Sequence, residues 1–390
     1  MPSRRHFLGA AAGAFASRAS LVAADYDLVI QGGRVIDPAQ GIDKPLDVGI
    51  RNGKIAALGS NLSAPQTIDA RGKLVVQGLI DIHVHARDPE LPTSEFLSTG
   101  VTTMIDAGSR GADNVEQLID SFAKPSPNRM RFWLNIGRLG NNPGGRAEFL
   151  DNIDQADVPK AIAAVKAHRE WIVGIKARLS RGISANRDKE VLRRAIEVGT
   201  ATNIPVMIHM GDTATPLPQL LAMMRPGDVV SHMYAPINGI LDSQGMVLQG
   251  VRQARKRGIK FDFGNGLNEH WAWDVAEKAM QQGFPPDTIS TDLNLPGRTD
   301  QVYDYPNVLS KFLALGMPLK QVIACATLNP SRTVRELNAY GSLRKGAVAD
   351  VTILELQEGH FDFVDNYKGK RQGSQKLFTR AVVFGGKRVL

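Results

Sequence analysis

The chain has 390 residues, of which 43% are hydrophobic and 22% charged, and its formal net charge is +8. This length suits a large domain with a small companion, and the composition excludes both a disordered chain and a membrane bundle. A single cysteine, Cys325, excludes an intrachain disulfide. The basic cluster between residues 368 and 380 lacks an aromatic-basic stacking motif, so we expect a solvated surface there and no nucleic-acid partner.

The start of the chain has the pattern of an export signal. Arg4 and Arg5 precede an apolar, Ala/Gly-rich stretch that is too short to span a bilayer, and small residues up to Ala24 offer a cleavage site. We therefore predict a twin-arginine signal over residues 1–24, a periplasmic or secreted protein, and no membrane anchor. An uncleaved tail is the alternative.

Short alternating apolar runs, separated by turn residues, occupy residues 25–77 and 336–390. The predicted strands are Tyr26–Gln31, Arg34–Asp37, Asp47–Ile50, Lys54–Leu58, Ala349–Leu354 and Arg380–Phe384. Two all-β ends around a different middle predict that the ends pair into one small, discontinuous β-sandwich.

The middle of the chain, residues 78–335, alternates β-branched runs with helical patterns such as Val158–His168 and Lys189–Ala201. The eight predicted strands are Leu79–Val84, Val101–Ile105, Arg131–Ile136, Ile172–Lys176, Val206–His209, Val229–His232, Ile259–Phe263 and Thr288–Thr291. Eight such units predict an α/β fold with a (β/α)8 barrel, which carries its chemistry at the C-terminal ends of its strands. The alternative, an open doubly wound sheet, usually has a Gly-rich phosphate loop after its first strand, and none is visible.

The first predicted barrel strand ends in His83-Val84-His85. Residues two apart in a strand face the same side, so both imidazoles point into the barrel mouth, where two nitrogens can bind one metal ion. The chain has only eight histidines, so this spacing is uncommon by chance. Alone, the pair is weak evidence for a metal site.

Four further polar residues end later strands: Lys176, His209, His232 and Asp292. Each has an ordinary structural alternative, such as a buried histidine bonded to the backbone or an aspartate that caps the next helix. All six residues together, in this order at strand ends, favour a shared metal site over six separate structural roles.

This order resembles the metal-site signature of the amidohydrolase superfamily, and the resemblance covers nearly all of residues 25–390. The segments that carry it besides the six residues are Lys73–Asp81, Gly100–Thr103, Ala326–Pro330 and Gly346–Asp350. Within the superfamily the chain is similar to the dihydroorotase-related branch, and in particular to deacetylase-like metallohydrolases with Gly174-Ile175-Lys176-Ala177-Arg178 on the fourth strand.

The resemblance implies a site for two divalent ions, with zinc as the preferred metal for mixed nitrogen and oxygen ligands. It assigns the more buried ion to His83, His85 and Asp292, and the second ion to His209 and His232.

The resemblance also implies that Lys176 is carboxylated by CO2 and bridges both ions, because an ammonium cannot ligate a cation whereas a carbamate is a bidentate anion. A metal-activated hydroxide would attack the carbonyl carbon, and Asp292 would take its proton and pass it to the leaving group.

Three residues beyond the ligands are predicted to bind the substrate. Arg87 and Arg178 each lie two positions past a ligand, on the same strand face, where either could form a bidentate pair with a carboxylate. Dihydroorotase-like enzymes hold a substrate carboxylate with an arginine at the place of Arg87. Asn294, two past Asp292, is similarly placed. A surface role is the alternative for each arginine.

The sequence thus predicts a binuclear metallohydrolase of an amide or ester bond in a small molecule, with deacetylation of a carboxylate-bearing N- or O-acetyl compound preferred. A cyclic amidase of the dihydroorotase or hydantoinase type is the alternative enzyme. A non-catalytic barrel scaffold is the alternative of another class, although a scaffold would be expected to lose ligands and all six are present. Homo-oligomerisation is left open.

Overall fold

The computed structural model describes residues 25–141 and 150–390. The predicted export signal, residues 1–24, lies outside the described part, and the periplasmic location stays a prediction. Among the described helices, none combines the length and the apolar composition that crossing a membrane requires.

The described part contains fifteen strands and eleven α-helices. The strands are β1 (Leu28–Asp37), β2 (Ile42–Arg51), β3 (Lys54–Gly59), β4 (Gln66–Asp69), β5 (Leu74–Gln77), β6 (Leu79–Val84), β7 (Val101–Gly111), β8 (Arg129–Asn135), β9 (Ile172–Arg178), β10 (Val206–His209), β11 (Val229–Ser231), β12 (Lys260–Phe261), β13 (Val351–Val364), β14 (Lys370–Phe384) and β15 (Lys387–Arg388). The helices are α1 (Thr93–Ser98), α2 (Val115–Leu118), α3 (Val158–Ala167), α4 (Arg181–Ser184), α5 (Asp188–Thr202), α6 (Leu217–Met223), α7 (Gln249–Lys256), α8 (Trp273–Gln281), α9 (Tyr305–Ala314), α10 (Leu319–Ala326) and α11 (Leu328–Thr333).

Both ends of the chain contribute to one mostly antiparallel sheet. Its order is β15-β14-β13-β5-β1-β2-β3, with β4 also paired to β1, so the two ends meet where β5 joins β1 and β13. The sequence predicted two strands, Tyr26–Gln31 and Arg34–Asp37, where the structure has the single strand β1. The prediction was wrong because the glycine pair at 32 and 33 makes a bulge rather than a break, with Gly32 in the left-handed region at φ 69°.

The second sheet holds seven strands in chain order, β6 to β12, and every neighbouring pair is parallel. Parallel neighbours need crossover connections, and helices such as α3 and α5 supply them. Both helices agree with the predicted bounds to within one residue at each end. The side chain of Asp157 accepts from the Lys160 amide to cap α3, and left-handed Asn203 ends α5.

The eighth predicted strand, Thr288–Thr291, does not form a continuous ladder. Instead Thr288 makes a parallel bridge to Asp262 and Leu293 makes one to Val84, so this segment touches both edge strands of the parallel sheet. The backbone leaves extended geometry at Asp292, whose φ is 49°. The prediction for β11 also ran one residue too far, because His232 has φ 63° and leaves the strand.

The interior of the parallel sheet is filled by side chains, with Trp133 the largest among them. Its indole nitrogen donates to the Ile82 carbonyl at 2.9 Å, which ties β8 to β6. A Cβ at residue 174 would lie 2.1 Å from Trp133 Cε3, so only glycine fits at that position of β9. Gly174 therefore belongs to the packing around the tryptophan, two residues before Lys176.

One buried ion pair joins the two sheets. Arg129, at the start of β8, donates to Asp350 Oδ2 at 2.8 Å and to Thr103 Oγ1 at 2.9 Å, and its guanidinium stacks 3.8 Å above the ring of Tyr340. The Asp350 side chain is 1% exposed, and its other oxygen accepts from the amide of Gly385. The pair is thus largely shielded from water at the junction.

We expect Arg129→Met to lower the free energy of unfolding by about 3–5 kcal/mol, because it leaves a carboxylate buried without its cation. Urea denaturation followed by circular dichroism measures the loss. The matched control is Arg34→Met, which breaks the exposed Arg34–Asp43 pair and should cost about 0–1 kcal/mol. Equal, small losses in the two variants would contradict the importance of the junction.

Candidate metal centre

The six residues predicted as ligands lie together at the C-terminal ends of the parallel strands. Each of the six residues is at most 7% exposed. They are His83 and His85 at the end of β6, Lys176 in β9, His209 at the end of β10, His232 just after β11 and Asp292 in the segment that bridges the edge strands.

Asp292 meets the His-x-His pair through one oxygen. Its Oδ1 lies 3.3 Å from His83 Nε2 and 3.2 Å from His85 Nε2. These separations fit ligand atoms around one ion at roughly 2.0–2.2 Å from each. Asp292 Oδ1 is also buried and has no hydrogen-bond partner within the described residues. The three side chains therefore fit a divalent ion.

A serine and a buried carboxylate fix the orientation of His83. Ser231 Oγ donates to Asp262 Oδ2 at 2.7 Å, and the same hydroxyl lies 2.7 Å from His83 Nδ1. Because the serine proton is already donated, the hydroxyl accepts from Nδ1–H, which leaves the lone pair of His83 on Nε2. Nε2, which carries the lone pair, is thus the nitrogen that faces Asp292.

The same device holds His85, and a backbone carbonyl holds His232. Ser109 Oγ donates to Asp106 Oδ2 at 2.7 Å and lies 2.8 Å from His85 Nδ1. His232 Nδ1 donates to the Gly264 carbonyl at 2.7 Å, and its Nε2 is buried without a hydrogen-bond partner in the described part. All three imidazoles are therefore set to offer Nε2 as a ligand.

Burial favours the neutral form of three of the imidazoles. It lowers the pKa values of His83, His209 and His232 well below the usual value, and the neighbouring histidines and Lys176 lower them further. Neutral imidazole is the form that binds metal ions.

Lys176 reaches into this cluster from a narrow slot. Its Nζ lies 3.0 Å from His83 Nε2 and 3.5 Å from Met207 Sδ. A Cβ at residue 108 would lie 2.9 Å from Lys176 Cβ and Cγ, so Gly108 leaves the room that the lysine stem occupies. The lysine side chain thus ends beside His83, and the carboxylation of Lys176 stays a proposal.

Asp81 holds the segment that carries Thr291 and Asp292 against β6. Its Oδ2 accepts from Thr291 Oγ1 at 2.6 Å, and its Oδ1 accepts from the amides of His83 and Thr291. The Asp292 amide also donates to the His83 carbonyl at 2.6 Å. Burial raises the pKa of Asp81 to about 8, against hydrogen bonds that lower it. Asp81 thus sets the distance between Asp292 and the histidine pair.

The backbone is strained at two of the predicted ligands. His232 and Asp292 are non-glycine residues in the left-handed region, at φ 63° and 49°, and each costs of order 1–3 kcal/mol. Such strain persists where surrounding contacts fix it, and it concentrates at functional sites.

His270, in the loop after β12, was not among the predicted ligands. Its Nδ1 lies 3.2 Å from Asp292 Oδ2, and its ring centroid is 4.0 Å from that of His232 and 4.9 Å from that of His209. The available signal was a fifth histidine soon after a strand end. The Ser109 and Ser231 contacts were also missed, because a serine on a strand carries no distinctive pattern.

The three predicted substrate-binding residues line one cavity with four of the candidate ligands, His85, Lys176, His209 and Asp292. This cavity has a volume of about 350 Å³, and its lining includes Arg87, Arg178 and Asn294. The Arg178 charge contributes to the lowered pKa of His209. Asn294 Oδ1 accepts from the Gly297 amide at 3.0 Å, so this side chain also supports its own loop.

The chain is similar to curated relatives along nearly its whole length, although no family model matches it. It is 31% identical over 349 residues to deacetylase Atu3266 of Agrobacterium fabrum, covering 87% of this chain and 85% of the relative. It is 30% identical over 374 residues to a deacetylase of Enterococcus faecalis, covering 93% and 98%. A dihydroorotase of Pelobacter propionicus is 26% identical, covering 84% and 90%.

Two solved structures are similar in fold and sequence. A structure described as an adenine deaminase superposes with a TM-score of 0.86 at 30% identity, covering 93% of this chain and 99% of the other. A dihydroorotase superposes with a TM-score of 0.85 at 27% identity, covering 93% and 97%.

We expect Ser231→Ala to weaken zinc binding by about 10–100-fold, because His83 loses the contact that fixes its tautomer. Competition with a chromophoric chelator measures the affinity. The control is Ser331→Ala, which removes a buried hydroxyl bonded to the Leu328 carbonyl, outside the cavity. Wild-type affinity in Ser231→Ala, or an equal loss in the control, would show that the Ser231 hydroxyl does not support a ligand.

Proposed function

Because the chain belongs to the amidohydrolase superfamily, in its dihydroorotase-related branch, we propose that it is a metal-dependent deacetylase of a small, carboxylate-bearing N- or O-acetyl compound. Hydrolysis of an amide-type bond is the activity that its relatives share. The observation that carries the finer proposal is one cavity lined both by buried candidate ligands and by two arginines.

We further infer that the parallel sheet closes into a (β/α)8 barrel. Support comes from two parallel bridges: Thr288 pairs with Asp262, directly after the edge strand β12, and Leu293 pairs with Val84 of the edge strand β6. Closure would place all eight strand ends around one mouth. An experimental structure in which residues 288–293 pair with neither edge would contradict it.

The candidate ligands suit two divalent ions, with zinc preferred. His83, His85 and Asp292 would hold one ion and His209 and His232 the other, with a carbamate on Lys176 between them. When bound, the ions would supply an activated water as nucleophile and would polarise the scissile carbonyl group. The burial of these side chains keeps bulk water from competing for the same positions.

Asp292 is the proton carrier in this proposal. One carboxylate oxygen faces His83 and His85, and the other lies toward His270 on the cavity side. A carboxylate at this point can take a proton from the attacking water and return it to the leaving nitrogen or oxygen. In this proposal the hydrogen bonds around Asp81 keep Asp292 within reach of both the attacking water and the leaving atom.

The two arginines support an anionic substrate. Arg87 and Arg178 line the cavity together with the candidate ligands, so their charges add to that of any bound cation. The lining also holds the carboxylates of Asp212 and Glu269, so the two guanidiniums, rather than a net positive cavity, would attract an anion. A guanidinium can grip a carboxylate through two parallel hydrogen bonds and so orient the rest of the substrate.

A cyclic amidase is the second candidate. The dihydroorotase with a TM-score of 0.85 favours it, and so does an arginine two residues after the His-x-His pair. Deacetylation is preferred because the deacetylase relatives, at 30–31% identity, cover 87–93% of this chain, against 84% for a dihydroorotase of Geobacter sp. that is 34% identical. A hydrolysis screen with N-acetyl, O-acetyl and cyclic amide substrates separates the two.

We expect Arg178→Met to lower kcat/KM for an acetylated hydroxy or amino acid by about 2–5 kcal/mol in transition-state free energy, because a buried charge pair is lost. The methyl ester of the same compound should lose much less. Arg87→Met is tested in parallel, and Arg193→Met removes an arginine that pairs with Glu190 outside the cavity. If Arg178→Met and Arg87→Met lose equally on acid and ester, neither arginine binds a carboxylate.

A further inference from the structure

His270 adds a fifth imidazole to the candidate metal centre. Ligand atoms of His209, His232 and His270 all lie within 4.8 Å of one another. Asp292 Oδ2 joins this group, at 3.2 Å from His270 Nδ1 and 3.8 Å from His232 Nε2.

Three buried atoms of this cluster lack hydrogen-bond partners within the described residues. They are His232 Nε2, His270 Nδ1 and Asp292 Oδ1. Leaving a polar atom buried without a partner costs about 1–3 kcal/mol. A cation between these atoms would use lone pairs that hydrogen bonds leave free, so the group has the character of a ligand set.

We propose that His209, His232 and His270 form a three-nitrogen site for a divalent ion that is complete without a carbamate on Lys176. The inference rests on the proposed metal-dependent function. Three imidazoles are a ligand set that zinc accepts, with a fourth position left open. Asp292 then lies between two ligand sets, its Oδ1 toward His83 and His85 and its Oδ2 toward His270.

The loop that carries His270 is held in place by the turn between β13 and β14. Asn366 Oδ1 accepts from the Trp271 amide at 3.1 Å, and Asn366 Nδ2 donates to the Gly266 carbonyl at 3.0 Å. Asp365, the residue before Asn366, accepts from the Trp273 amide at 2.9 Å. A ligand needs such support, because a loosely held side chain binds metal weakly.

A buried lysine supports the same loop from below. Lys311 Nζ donates to Asn265 Oδ1 at 2.6 Å and lies 4.9 Å from the Trp271 ring centroid. Directly before His270, Asn268 and Glu269 both adopt left-handed backbone, at φ 57° and 73°. This tight, strained turn directs the imidazole back toward the strand ends.

The three-histidine site has a consequence for metal loading. Three unmodified imidazoles need no CO2 to bind a metal ion, so the second ion can bind before Lys176 is carboxylated. The carbamate would then add its oxygens to ions already present.

The test uses Lys176→Met, which cannot form a carbamate and matches the lysine stem in length. Zinc titration monitored by elemental analysis should give about two ions per chain in this variant, about one in Lys176→Met/His270→Ala, and about two in Lys176→Met/His168→Ala. His168 is a matched control because it pairs with Glu116 outside the cavity. An anomalous difference map of zinc-soaked Lys176→Met crystals should show a peak bonded to His270.

The inference is overturned if Lys176→Met binds fewer than two ions while the wild-type chain binds two, or if Lys176→Met/His270→Ala binds as many ions as Lys176→Met. A wild-type chain that binds no zinc contradicts the proposed function itself. Should Lys176→Met fail to fold, as judged by circular dichroism, the wild-type chain and its two histidine variants are titrated in bicarbonate-free buffer, with the same expected counts.

Discussion

Lone pairs of buried nitrogens and oxygens face one another at the C-terminal ends of the parallel strands, an arrangement that is unfavourable unless a cation lies between them. His232 Nε2, His270 Nδ1 and Asp292 Oδ1 are three such atoms, and each lacks a hydrogen-bond partner within the described residues. Much of the surrounding structure serves to hold these atoms in position. The strained backbone of His232 and Asp292 belongs to the same arrangement.

A layer of buried carboxylates surrounds the candidate ligands. Asp106 and Asp262 act through serines on His85 and His83, and Asp81 acts through the backbone of the segment that carries Asp292. Each carboxylate accepts from hydroxyls or amides, which offsets the cost of its burial. These contacts fix the tautomers and distances that a metal site requires. The mostly antiparallel sheet reaches the site through the turn at Asn366, which holds the loop of His270.

The strand-end residues could be predicted because strand alternation fixes the face of a side chain and a parallel sheet brings the C-terminal ends of its strands to one edge. These residues are His83, His85, Lys176, His209, His232 and Asp292. His270 was not predictable in the same way, since its direction depends on a left-handed turn and on hydrogen bonds from a distant hairpin. Strand alternation also gave no sign that Thr288–Thr291 would make bridges instead of a ladder, because its hydroxyls bind buried aspartates that periodicity does not reveal. The alternation of residues along each strand predicted which side chains share a face of the sheet. The turn that directs His270 depends on contacts with residues distant in the sequence, which such local patterns do not show.

The central claim is that hydrolysis depends on ions held by this cluster. The most direct measurement removes metal with a chelator and then titrates zinc and bicarbonate back while hydrolysis of an acetylated carboxylic acid is followed. We expect no turnover without metal and activity that rises until about two ions per chain are bound. Full activity in metal-free protein, or active protein that takes up no divalent ion, would contradict the claim.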